Sequence, residues 1–183
     1  MRARLLRAAI LLGSAVTAGA GCGGSTSDSE EPTAAPEKLV DTQEVEQLLV
    51  NTQRRASPDF EVGAASCPAQ VVVAEGVTFE CTVVVEGVVA PYVVTMADVN
   101  PRNQTGRYDL RPAKAILSVP RLVDFVKRLA TEPDAQVDCG PERVRIADVG
   151  STFECQLTDS EGPHTVSLKV DDIKGKVTIV GVV

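Results

Sequence analysis

Apolar and polar residues alternate strictly over residues 152–158. Phe153, Cys155 and Leu157 fall on one side, and Thr152, Glu154, Gln156 and Thr158 on the other. A period of two marks a strand with one buried face. The alternation resumes at Val166, Leu168 and Val170 after a turn at Asp159-Ser160-Glu161-Gly162. A Lys174-Gly175 turn then leads into a last strand through Val177 and Ile179. Earlier in the chain Phe79, Cys81 and Val83, then Tyr92, Val94 and Met96, follow the same pattern. A polar loop at residues 100–106 and one strand over 108–117 complete that half. Two stretches keep a helical period instead. Val45, Leu48, Leu49 and Thr52 form one stripe, with Asp41 or Thr42 as N-cap, Glu44 in the first turn, Arg54 and Arg55 at the end and Pro58 beyond. Leu122, Phe125, Val126 and Leu129 form another, starting near Ser118 with Pro120 in its first turn.

The two halves repeat one another. Gly76-Val77-Thr78-Phe79-Glu80-Cys81 returns as Gly150-Ser151-Thr152-Phe153-Glu154-Cys155, at an offset of 74 residues (150 − 76). Asp98-Val99 and Asp172-Ile173 keep that offset. A further cysteine precedes each copy, so the repeat pairs Cys67 with Cys81 and Cys139 with Cys155. With no Trp and only four Phe and two Tyr in the chain, neither half can bury a large core. A disulfide closing a loop of about 15 residues contributes roughly 3 kcal/mol in the chain-entropy account, which offsets that shortfall. The expected fold is α+β: two tandem small domains at 39–117 and 118–183, each a helix packed on a roughly four-stranded antiparallel sheet with one disulfide.

The N-terminus has the form of an export signal. Arg2, Arg4 and Arg7 flank a short apolar run at residues 8–18, too short to span a bilayer stably. Gly19-Ala20-Gly21-Cys22 follows and resembles the lipobox of bacterial lipoproteins, where small residues precede a cysteine that is lipidated and becomes the new N-terminus. Gly19 departs from that pattern, which usually has Leu or Val there. Residues 1–21 are thus expected to be a lipoprotein signal peptide, with Cys22 as the lipidated residue. Ala18-Gly19-Ala20 also fits an ordinary cleavage site, which would give a secreted product. Cysteine arithmetic favours the lipid: five cysteines leave Cys22 over once the repeat has paired four. From Gly23 to Lys38 the chain is Gly, Ser, Thr, Asp, Glu, Pro, Ala and Lys with no large apolar side chain, and residues 22–38 are expected to be a flexible tether.

Charge narrows the partners. Removing the three leader arginines leaves 15 basic residues (18 − 3) against 25 acidic ones, a net −10. An acidic body argues against nucleic acid and against lying flat on an anionic membrane. The expected contacts are the membrane, through the N-terminal lipid alone, and an envelope protein or cell-wall polymer.

Cys67-Pro68 with Gly76-x-x-Phe79-x-Cys81, and Cys139-Gly140-Pro141 with Gly150-x-x-Phe153-x-Cys155, are similar to a domain of unknown function found in actinobacterial lipoproteins and exported proteins. The second copy departs from it in placing Gly140 between cysteine and proline and in spacing its cysteines by 16 rather than 14 residues. The resemblance implies fold and export but brings no catalytic residue.

Candidate chemistry is sparse. His164 is the only histidine and is expected to be an exposed turn residue without catalytic partners. The four paired cysteines lack C-x2-C spacing, so oxidation rather than zinc is expected. Glu80 and Glu154 should point to solvent, opposite the inward Phe and Cys residues. Asp98, Asp171 and Asp172 fit turn chemistry rather than a calcium loop. No catalytic, cofactor-binding or metal-ligating set emerges. The function expected is a non-catalytic binding or accessory module displayed outside the membrane. The alternative is a protein inhibitor of an envelope or extracellular enzyme. The loop at 100–106 and the groove between the domains are the candidate contact regions.

Overall fold

A computed structural model describes residues 38–128, 130, 132 and 134–183. The expected signal peptide, Cys22, the tether through residue 37 and Leu129 lie outside the described residues. Helix α1 (Thr42–Ala56) is capped by Asp41, whose Oδ1 accepts from the backbone N–H groups of Gln43 and Glu44 at 3.1 and 3.3 Å. Its buried stripe is Val45, Leu49 and Gln53, one step round from the expected Leu48 and Thr52. Four strands follow: β1 (Val62–Ser66), β2 (Thr78–Val85), β3 (Val88–Asn100) and β4 (Thr105–Pro112). They form an antiparallel sheet in the order β1-β2-β3-β4. After β5 (Ala115–Ser118) comes α2 (Val119–Lys127), capped by Ser118 and burying Val119, Leu122 and Val126. Then follow β6 (Gln136–Asp138), β7 (Val144–Ala147), β8 (Thr152–Asp159), β9 (Gly162–Val170) and β10 (Val177–Val182). A second antiparallel sheet has the order β10-β9-β8-β6, and β5 pairs with β7 in a separate ribbon. The chain is thus α+β, mostly antiparallel sheet with two helices and two disulfides. The described residues belong to one compact unit.

The repeat is visible in the hydrogen-bond register. Phe79 faces Val94 and Cys81 faces Tyr92 in the first hairpin; Phe153 faces Leu168 and Cys155 faces Val166 in the second, each at the same offset. Gly76 and Gly150 both have positive φ (75° and 89°), which only glycine adopts cheaply. Their N–H groups donate to the carbonyls of Met96 (2.9 Å) and Val170 (2.7 Å). Disulfides join Cys67 to Cys81 and Cys139 to Cys155.

Two apolar clusters result. One gathers Val45, Leu49, Val83, Val94 and Met96 between α1 and the first sheet; the other gathers Leu122, Val126, Cys155, Val166 and Leu168. The β5–β7 ribbon serves both. Ala115 and Leu117 belong to the second cluster, whereas Ile116, Val144 and Ile146 pack on the first. This corrects the single strand expected over 108–117. Pro112 ends β4 without an N–H to give the ladder, Ala113 N–H donates to the carbonyl of Pro91 (2.9 Å), and the chain bends away to meet β7.

Candidate functional site

A groove of about 660 Å³ opens beside the ribbon, between the two clusters. One wall is the C-terminal end of α1 and the segment after it, with Gln53, Ser57, Asp59 and Phe60, together with Tyr92 of β3. The other is β5, the face of α2 carrying Arg121, Leu122 and Phe125, and the turn from Ile173 to Val177 before β10.

The walls are held by identifiable contacts. Ser57 N–H closes α1 on the Gln53 carbonyl at 2.9 Å, and Pro58 carries the chain out of the helix. Phe60 turns toward the second half, where the Arg143 guanidinium lies 5.5 Å from its ring centroid. Arg143 also pairs with Glu86 at 2.8 Å and donates to the Asp59 carbonyl at 3.3 Å. Arg121 and Asp59 form an exposed ion pair at 3.4 Å. On the far side, the Asp172 carboxylate accepts from the N–H groups of Lys174 (2.9 Å) and Lys176 (3.1 Å). Gly175 has φ +83°, and a Cβ there would come within 3.2 Å of Leu117 Cδ2 and 3.4 Å of the Ile116 carbonyl. The turn therefore lies directly on β5.

One polar network underlies the groove. Gln53 is 2% exposed and Tyr92 4%. The Tyr92 hydroxyl donates to Gln53 Oε1, and Gln53 Nε2 donates to Ser57 Oγ at 2.9 Å. Burial pushes the Tyr92 phenol above its ordinary value of 10.0. The Lys174 and Lys176 side chains are exposed and form no hydrogen bond or ion pair among the described residues. The groove thus combines an apolar body with amide, hydroxyl, ammonium and guanidinium donors. No His or Cys lines it among the described residues.

The other sequence candidates lie elsewhere. His164 is not an exposed turn residue: β9 begins at Gly162, so His164 sits half-buried in the ladder opposite Leu157. Its Nε2 is 3.2 Å from Asp159 Oδ1. Glu80 and Glu154 are exposed on their strands. Asp172 organises the turn, Asp171 accepts from Thr178 Oγ1 at 3.0 Å, and Asp98, with φ 55° at a bulge in β3, pairs with Arg107. No three His, Cys, Asp or Glu side chains gather at a metal-binding distance among the described residues. The loop at 100–106 is a tight hairpin whose Asn103 and Gln104 carbonyls accept from Lys38 Nζ at 3.4 and 3.2 Å. No described helix is long and apolar enough to cross a membrane.

Sequence reasoning missed Gln53, Arg143 and the two groove lysines. Gln53 had a usable signal, since it falls at i+8 from Val45 and i+4 from Leu49 on the inward stripe. The lysines had none, because their importance depends on a turn folding onto a strand nearly 60 residues earlier. No family model, curated protein or solved structure matches this chain.

Proposed function

We propose that this chain is a cell-envelope lipoprotein, anchored through Cys22, whose two tandem α+β domains form a non-catalytic binding module. The observation that carries the binding role is the groove: an apolar cleft of ligand size at the junction of two packed halves, with a few convergent polar groups. The Ser57 and Ser118 hydroxyls accept hydrogen bonds as helix-end groups, and neither hydrogen-bonds a carboxylate or imidazole among the described residues, which supports recognition over reaction. The shared register of the two hairpins supports descent of both halves from one unit, of the exported type that the Cys-Pro and Gly-x-x-Phe-x-Cys pattern resembles. The packing of Ile116 on the first cluster and of Ala115 and Leu117 in the second supports a junction that falls at β5, where the proposed domains 39–117 and 118–183 meet. The partner is an envelope component, not a nucleic acid.

The test is site-specific photo-crosslinking on intact producing cells. A photoreactive residue at Phe125, on the groove, should trap a defined adduct, and the same group at Glu80, on the open sheet face, should trap none. Equal labelling at both sites, or none at either, would remove the groove from the function. The inhibitor alternative rests on a different observation, the exposed hairpin at 101–104 held by Lys38 and by Thr105 Oγ1 donating to Asn103 Oδ1 at 2.9 Å. Shortening that hairpin should abolish inhibition of a target enzyme and leave groove crosslinking intact.

A further inference from the structure

We infer that the groove takes a single-chain aliphatic anion, an alkyl chain carried to a carboxylate head, with the head at Lys174 and Lys176. This rests on the binding role proposed for the groove and adds the chemistry of the occupant.

Hydrogen-bonding capacity selects the body of the ligand. The groove's polar side chains are rich in donors and poor in free acceptors. Gln53 Oε1 already accepts from Tyr92 and Ser57 Oγ from Gln53, and the one carboxylate of the lining, Asp59, stands exposed at the rim with Arg121 on its Oδ2. A peptide or saccharide brings several N–H or O–H donors of its own, and those placed away from the Asp59 rim would lose their water without gaining a side-chain partner. An alkyl chain brings none, and it would lie against the apolar side chains that make up most of the cleft.

Charge selects the head. The chain as a whole is acidic, with a formal net charge of −7, yet the two side chains on the β9–β10 turn are ammonium groups without a carboxylate partner among the described residues. Both border the groove. Gly175 between them presses the turn onto β5, so the ammonium groups are carried to the edge of the apolar cleft. An anion there gains two positive charges that form no ion pair among the described residues, the nearby Asp172 carboxylate being bound to the backbone N–H groups of the turn, and a neutral head gains neither.

The experiment uses the full chain with Cys22→Ser, which removes the anchor lipid as a competing ligand. A neutral apolar dye, N-phenylnaphthylamine, is bound first and then displaced. Palmitate should displace it at one site per chain, more strongly than cetyl alcohol, which has the same chain length and no charge. Lys174→Ala with Lys176→Ala should weaken palmitate about three- to tenfold and leave cetyl alcohol unchanged. Rising salt should weaken palmitate alone. Equal affinity for acid and alcohol, or indifference to the double substitution, overturns the charged head. Dye displaced by an apolar peptide with a free C-terminal carboxylate but not by palmitate overturns the alkyl body. Failure of the dye to bind at all overturns the groove as a binding site, and with it the function proposed above.

Discussion

Gln53 and Tyr92 come from elements 39 residues apart and meet at the base of the groove, almost wholly buried. Removing one partner strands the other, and a stranded buried acceptor costs its full desolvation. Tyr92→Phe should therefore lower stability by about 1–3 kcal/mol in urea unfolding, more than an exposed Tyr→Phe change would. The pH dependence has a definite sign. Folding favours the neutral phenol, so its contribution is present in full below pH 10.0 and is lost as pH rises from there through the raised value. The urea midpoint of the parent chain should fall over that alkaline range, and Tyr92→Phe should remove that component of the fall. Gly175 is the second position where one atom matters. Gly175→Ala puts a Cβ at positive φ and against Leu117, and should cost about 1 kcal/mol or more, read as a lower melting temperature. Neither residue's importance could be read from its type: glutamine is ordinarily a surface residue, and glycine in a Lys-Gly turn is ordinarily free of neighbours.

At the scale of elements, the hairpins were legible and the ribbon was not. Alternation over Phe79–Val83 and Phe153–Leu157 reflects a sheet with one face on a core and one in water, a difference that local sequence records. The β5–β7 ribbon has apolar side chains on both faces, so Ala115-Ile116-Leu117 reads as a continuous apolar run with no period. Such a run looks like the tail of the strand before it. The disulfides were legible because the repeat aligned the cysteines, even where the second loop is two residues longer. Cys139→Ala with Cys155→Ala should cost roughly 3 kcal/mol, measured as a shift of the urea midpoint against the parent chain under oxidising conditions. Under reducing conditions much of that difference should vanish.

At the scale of the whole molecule, the ribbon makes the halves share a core element. Val144 lies between Cys139 and Cys155 in sequence yet packs with the first cluster. Unfolding one half uncovers a face of the β5–β7 ribbon on which the other half also packs, so the two should unfold together. Both tyrosines, Tyr92 and Tyr108, lie in the first half and there is no tryptophan, so tyrosine fluorescence reports that half alone. Far-UV circular dichroism reports both. The two urea transitions should coincide, and separate midpoints would mean independent halves. The proposed lipid anchor would act on the whole chain: Cys22→Ala should move the protein from the membrane to the soluble fraction.

The ribbon that joins the cores also bears on how fast the cleft can be entered. One wall belongs to each half, and the ribbon is packed on both, so parting the walls would have to break that packing. A cleft held in this way is expected to have no slow gate. Its capture of a ligand should rise in direct proportion to ligand concentration in stopped-flow mixing, without the plateau that a rate-limiting rearrangement imposes.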